Sequence, residues 1–319
     1  MPLGVASGAP RLRLAAISID LDQIHHYRSL HGLPASSAAA HAAFEVAIPR
    51  AIAWARTHGL PLTFFAVGVD LEQEANAAAL RGALAAGHAI ESHSMTHPYD
   101  LVRLGRERIR REVHDGFDAI ERAVGRRPSG FRAPGYTLSD GVLDALEEVG
   151  ATFDSSVFPS TPYYLAKAGV LAWMRARRRE SASILGSPRV LLAPTEPYRP
   201  GRDWARPRGD RRLVEIPIRV TRLLRVPVIG TTLALAGPMG ARTLVTGCGA
   251  VEVFNLELHA IDFLGVDDGL ADLRERQREL RTALGQRMES LDVAVRALVD
   301  GGYAFATLAD AATAFAARV

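Results

Sequence analysis

Leu14-Ala15-Ala16-Ile17-Ser18-Ile19-Asp20-Leu21-Asp22 begins as an apolar run of strand length and ends in two carboxylates. A continuous apolar run suits a strand covered on both faces, as parallel sheets require. The period of two along a strand puts Asp20 and Asp22 on one face, just beyond the segment that should be buried. Two carboxylates there are costly unless something positive binds them. In parallel α/β barrels catalytic groups gather at the carboxyl ends of strands, so this one stretch suggests both a fold and a place to look for chemistry.

Outward from it, strand-like runs alternate with helical patterns. A helix is expected over about 38–58, then LTFFAVG (62–68), a helix over about 70–86, and HAIES (88–92). A helix around 106–124, SGFRAP (129–134), a helix starting near Ser139 and ATFDSSVF (151–158) follow. Such alternation builds a parallel sheet. Between about 159 and 212 the pattern gives way to aromatic-, Pro- and Arg-rich sequence, read as a long irregular insertion over one mouth of the barrel. LVEIPI (213–218), VEVFNLEL (251–258), a long helix over about 270–299 and a last strand YAFATL (303–308) restore it. No internal repeat is present, and the expectation is one α/β barrel domain over 1–319.

The chain has 319 residues, 48% hydrophobic and 23% charged, which describes a globular protein and disfavours disorder. The single cysteine, Cys248, excludes an internal disulfide framework and a thiolate zinc knuckle, so a metal would need His and carboxylate ligands. The stretch MPLGVASGAPRLRL has no apolar core of signal-peptide length, so a cytoplasmic protein is expected. Net charge is only +3, and Lys167 is the one lysine. Positive charge is densest at Arg175, Arg177, Arg178 and Arg179, continued by Arg199, Arg202, Arg206, Arg208, Arg211 and Arg212. That cluster reads either as a solvated loop face or as a contact for a phosphate or the inner face of a membrane. It matches no nucleic-acid reading module, so nucleic acid is not an expected partner. The uncharged segment 226–241 is too short to span a bilayer of ~20 helical residues. It is read as a buried strand and turn, with an apolar lip for a membrane or lipid tail as the alternative.

The third strand runs into Glu91-Ser92-His93-Ser94-Met95-Thr96-His97, two histidines four apart, where a helical turn would bring both rings to one side. With Asp22 they make a His₂-carboxylate set suited to Zn²⁺ or a similar divalent ion, with positions left for water and substrate. Phe131-Arg132-Ala133-Pro134-Gly135-Tyr136 brings an arginine to the same mouth, where it can fix a carboxylate. Leu256-Glu257-Leu258-His259-Ala260-Ile261-Asp262 presents one more histidine with acids close by.

Taken in order, SIDLD, HSMTH, FRAPGY, FDSSVFP and LELHAID resemble the motif series of the polysaccharide deacetylase family, the NodB-homology or carbohydrate esterase family 4 domain. The resemblance implies a distorted (β/α) barrel with somewhat fewer than eight regular units, covering about 14–308. It implies a metal-dependent hydrolase that removes an acetyl or formyl group from the nitrogen of an amino sugar. By position, Asp20 corresponds to the catalytic base, Asp22, His93 and His97 to the metal ligands, and Arg132 to the residue that orients the base. The Gly135 N–H takes the oxyanion-stabilising place and His259 that of the general acid, with Asp154 and Asp262 both candidates for the carboxylate behind it. Many members carry adjacent acids, FDD, where Leu21 intervenes here, and an aromatic directly after the proline, where Tyr136 stands one place later. The D-x-D form also occurs in peptidoglycan deacetylase-like and lipid-linked amino sugar deformylase-like branches, which moves the expected substrate away from plain chitin. A lipid-linked amino sugar at the inner membrane face is the second expectation; a non-catalytic barrel that binds a glycan or a partner protein is the third.

Overall fold

The computed structural model describes residues 13–34, 36, 39–178, 181–207 and 209–318. The amino-terminal stretch 1–12, the start of the helix expected from 38, and Arg179 and Arg208 of the basic cluster lie outside them.

The opening run forms β1 (Arg13–Asp20), buried from Leu14 onward. On one side of it follow in turn β2 (Leu62–Ala66), β3 (Ala89–Ser92), β4 (Gly130–Phe131), β5 (Phe153–Asp154) and β6 (Val214–Glu215), and on its other side lies β7 (Val253–His259). Every pairing is parallel, in the order β6-β5-β4-β3-β2-β1-β7, and β8 (Tyr303–Phe305) takes the amino-terminal end of β1. The sheet curls toward closure where Arg219 N–H donates to Asn255 O (3.1 Å) and Ile229 bridges Glu257, beyond the short β6. The expected α/β barrel of the distorted kind is therefore what the chain forms.

Helices cover the outside. Between β1 and β2 lie α1 (Ile24–Leu30) and α2 (Ile48–His58), and then α3 (Glu74–Ala85) and α4 (Arg106–Val124) follow their strands. The bounds of α4 agree with the sequence reading because its apolar stripe, including Ile109, Val113, Phe117 and Ile120, is buried while its other face is charged. Ser139 caps α5 (Asp140–Val149) by accepting from Val142 N–H, and Gly150 ends it in the left-handed region at φ 83°.

Three expectations are corrected. The segment 159–212 is not irregular throughout, because α6 (Thr161–Ala176) occupies its first third with none of its residues fully buried. The segment 226–241 is not a buried strand and turn throughout: beyond Ile229 it lies in α7 (Gly230–Thr246), kinked at Gly237-Pro238 and packed on α8 (Leu284–Asp300). Its Leu233, Ala234 and Ala241 are buried while Leu235 and Met239 face outward. The long helix expected from 270 begins only at Leu284; 266–281 is a series of short 3₁₀ turns tied to α1 by Arg28–Asp272 (2.6 Å) and His31–Gln277 (2.8 Å). The chain closes with α9 (Leu308–Ala316). No helix among the described residues is long and apolar enough to cross a membrane.

Candidate active site and metal centre

Asp20 ends β1 and is paired in register with His259 at the end of β7, so the two strands deliver a carboxylate and an imidazole to one mouth. Arg132, directly after β4, is completely buried and lies beneath them. Its Nη1 donates to Asp20 Oδ1 (2.6 Å), its Nη2 to Ser18 Oγ (2.8 Å) and Ser155 Oγ (2.9 Å), and its Nε to the Ser155 carbonyl (3.0 Å). The guanidinium also stacks on Phe65 at 4.2 Å from the ring centroid. Asn255 ties the two serines together, accepting from Ser18 Oγ (3.0 Å) and donating to Ser155 Oγ (2.9 Å). A buried charge is tolerable only with its donors satisfied, and this network fixes Asp20 Oδ1 while Oδ2 faces His93 Nε2 at 3.9 Å.

Asp22, His93 and His97 converge, with Asp22 Oδ1 lying 3.4 Å from His93 Nε2 and 3.1 Å from His97 Nε2. The helical turn expected to align the two imidazoles is absent. Ser94 and His97 instead adopt left-handed backbone, φ 72° and 58°, in a non-helical loop. The loop is held from outside: Met95 N–H donates to Glu112 O (2.9 Å), Thr96 N–H and Oγ1 to the Glu112 carboxylate (2.9 and 2.7 Å), and His97 N–H to Ser94 Oγ (3.0 Å). Gly116 on α4 makes the approach possible, since a Cβ there would lie 2.9 Å from Ser94 C.

These three residues fit a divalent ion. His93 Nδ1 meets the Arg132 carbonyl at 2.7 Å, and a carbonyl only accepts, so Nδ1 carries the proton and Nε2 presents a lone pair to Asp22. Asp22 Oδ1 and His97 Nε2 are buried with no hydrogen-bond partner. Lone pairs facing one another in a buried place ask for a cation. The separations of 3.1 and 3.4 Å match the edge of a tetrahedron whose bonds are ~2.1 Å, which is about 3.4 Å. Burial would favour a neutral Asp22, yet the positive charge that His97, His93 and His259 carry when protonated, and that a bound cation would carry in their place, holds its carboxyl well below the usual range.

His259 is the one partly open ring of the group. Its Nδ1 lies 2.7 Å from Glu257 Oε1, and Glu257 is fully buried. Neither carboxylate expected from the sequence is at the ring: Asp154 accepts from Ser156 Oγ (2.7 Å) beside Glu215, and Asp262 accepts from the His259 backbone N–H (2.9 Å). Glu257 was legible in LELHAID, because two residues along a strand share a face. Burial alone would depress the His259 pKa; Glu257 overrides it, and the ring stands well above its ordinary value. Tyr136 Oη lies 3.3 Å from Nε2.

A cavity of about 200 Å³ opens over these groups, lined by Asp20, Asp22, Gly135, Tyr136, Lys167 and His259 among others. Gly135 has φ +64°, and a Cβ there would press on Tyr99 at 3.3 Å, so glycine brings backbone to the cavity wall. Among the described residues the basic cluster does not form one patch. Arg211 is buried against Asp144 (2.8 Å) and Glu147 (2.8 Å), Arg206 pairs with Asp203 (3.1 Å), and Arg175, Arg177 and Arg178 are exposed at the end of α6.

A curled parallel sheet whose strand ends converge on a carboxylate and imidazole cluster defines the class, an α/β barrel with a polar site at its mouth. Comparison with known proteins narrows it. The polysaccharide deacetylase family model matches residues 44–153, a stretch holding His93, His97, Arg132 and Gly135. Peptidoglycan deacetylase of Helicobacter pylori is 24% identical over 157 residues, 48% of this chain and 53% of that protein. Chitooligosaccharide deacetylase of Sinorhizobium fredii is 34% identical over 94 residues, 29% of this chain and 42% of that one. The chain thus spans about half the length of the curated relatives it matches. Among solved structures, a candidate polysaccharide deacetylase from Mycobacterium smegmatis superposes with TM-score 0.59 at 18% identity, covering 98% of this chain and 93% of that one. The family read from the motifs is borne out as a likeness: residues 44–153 match the polysaccharide deacetylase model, and the fold is similar to that of the Mycobacterium smegmatis structure over nearly the whole chain.

Proposed function

We propose that the protein is a metal-dependent hydrolase that removes the acyl group from the nitrogen of an N-acylated amino sugar in a glycan or glycoconjugate. The observation that carries this reading is the juxtaposition of two groups across one cavity, the Arg132-held carboxylate of Asp20 and the Glu257-held imidazole of His259. The two similar curated proteins are described as deacetylases of peptidoglycan and of chitooligosaccharide, which supports the substrate class.

Asp22, His93 and His97 would hold the ion, with zinc the best match to two imidazoles and a carboxylate. What a divalent ion supplies when bound there is polarisation of the acyl carbonyl and a water of lowered pKa. Asp20 takes the proton of the attacking water through Oδ2, while Arg132 keeps Oδ1 in place. The Gly135 N–H is the backbone donor assigned to the oxygen that gains charge. His259 gives its Nε2 proton to the departing nitrogen, so the sugar leaves as the free amine. Asp154 and Asp262 have supporting rather than proton-transfer positions in this scheme.

A lipid-linked amino sugar is the second reading, favoured by the hairpin whose exposed tip is Leu223 (89%) and Leu224 (73%) and whose far strand leads into Ile229 at the cavity. It would place the protein at the inner membrane face, and co-sedimentation with anionic vesicles that is lost in Leu223→Ser/Leu224→Ser tests it. A non-catalytic barrel has no comparable support. The test of the main reading is amine release from a panel of N-acetyl and N-formyl amino sugars: wild type releases amine, Asp20→Asn keeps its metal and loses most turnover, and full activity in Asp20→Asn would sink the role assignment.

A further inference from the structure

α6 passes over the cavity and carries the only lysine of the chain, Lys167. Its ammonium reaches in beside Gly135 rather than out to solvent, donating to the Gly135 carbonyl at 3.3 Å and standing 5.9 Å from the Tyr163 ring centroid. Among the described residues no carboxylate lies within ion-pair distance of it, whereas the buried arginines at 28, 132, 211 and 219 are each paired with one and buried Arg287 donates to three backbone carbonyls. An ammonium has three donors, and Gly135 uses one. Of the other charges on the cavity wall, Asp20 is paired with Arg132, Asp22 faces the imidazoles, and Glu279 accepts from the Thr231 hydroxyl with its second oxygen unpartnered.

We propose that Lys167 is a substrate-positioning residue that binds an oxyanion, a carboxylate or a phosphate, carried by the amino sugar close to its N-acyl group. This rests on the amide-hydrolase reading above and narrows its substrate class to anionic amino sugars. Place follows from connectivity: the carbonyl that Lys167 touches belongs to Gly135, the residue whose N–H is assigned to the acyl oxygen, so the bound anion sits within the span of one sugar of the scissile amide. Burial pushes the ammonium down to about 8, the behaviour of a cation short of compensation, and an anion supplied by the substrate restores it. A flexible lysine suits a carboxylate or a phosphate as a point charge, whereas an arginine would favour bidentate geometry.

The experiment compares zinc-loaded wild type, Lys167→Met and Lys167→Arg on three probes: a neutral chitooligosaccharide, a disaccharide containing N-acetylmuramic acid, and N-acetylglucosamine 1-phosphate. Wild type should show a KM for at least one anionic probe roughly tenfold or more below the neutral one, the scale of one charge-assisted hydrogen bond. Lys167→Met should raise that KM toward the neutral level, so that the anionic-to-neutral ratio of kcat/KM falls roughly tenfold to near one. Lys167→Arg should keep most of the preference, and the carboxylate and phosphate arms identify the group. Equilibrium binding of the same probes to Asp20→Asn, with and without Lys167→Met, reads the anion site without turnover. Absence of amine from every probe would therefore count against the proposed reaction, while Lys167-dependent binding would still stand or fall by itself. Equal KM for neutral and anionic probes in wild type, or equal losses on both in Lys167→Met, would overturn the proposal and leave Lys167 as an anchor for α6.

Discussion

Replacing Glu257 by Gln removes the charge 2.7 Å from His259 Nδ1 and keeps the shape. In wild type Glu257 raises the His259 pKa well above its usual value, so the ring stays an imidazolium to higher pH than a free one. A general acid works while protonated, so activity falls as pH rises through its pKa, and lowering that pKa moves the alkaline limb toward neutrality. A ring returned to the ordinary value of about 6.5 is about 3% protonated at pH 8, roughly a 30-fold loss of kcat, but about three-quarters protonated at pH 6, less than a twofold loss. These losses are relative to a fully protonated ring; in the variant Asp22 and Asp20 still hold the value up while burial presses it down. Steady-state amine release from pH 5.5 to 9 on both proteins reads the shift. A loss of the same size at every pH would refute the argument, because it would mean that Glu257 only places the ring.

Arg132→Met leaves the Asp20 carboxylate buried and unpaired, and should cost roughly 3–5 kcal/mol of unfolding free energy, with part recovered in Arg132→Met/Asp20→Asn. Denaturant unfolding checks this, and a loss below about 1 kcal/mol would contradict the buried network. Gly116→Ala should weaken metal binding at least tenfold, because its Cβ would meet Ser94 C at 2.9 Å and Met95 N at 3.0 Å and push the His93–His97 loop away from Asp22. Gly82→Ala in α3 is the contrast: nothing lies within 4 Å of its Cβ, so it should stabilise by ~0.5–1 kcal/mol and leave metal affinity unchanged.

Much of the site was legible because strand ends are local. Asp20 and Asp22 follow an apolar run, and the same parity that groups them also groups Glu257 with His259, a signal present in the sequence and not used. The histidine pair was found for a reason the structure does not share. Their four-residue spacing suggested a helical turn, whereas the loop's shape comes from Glu112 and Gly116, too distant in sequence for periodicity to show. The Gly- and Pro-rich stretch that became α7 reads against a helix at Gly237-Pro238, and packing against α8 overrides that local preference. For 266–281 the apolar spacing is helical, but ties to α1 and the contact of Arg50 with Asp268 hold it in short turns. α6 was missed because no apolar face is fully buried, which leaves no stripe to read.

The central claim is that Asp22, His93 and His97 form one metal centre that serves amide hydrolysis. Metal content by mass spectrometry on wild type and His97→Ala, paired with amine release from N-acylated amino sugars, tests it most directly. The account predicts about one zinc or similar divalent ion per chain in wild type, with metal and amine release lost together in His97→Ala. Wild type that stays metal-free in added zinc, or His97→Ala that keeps both metal and turnover, would contradict it.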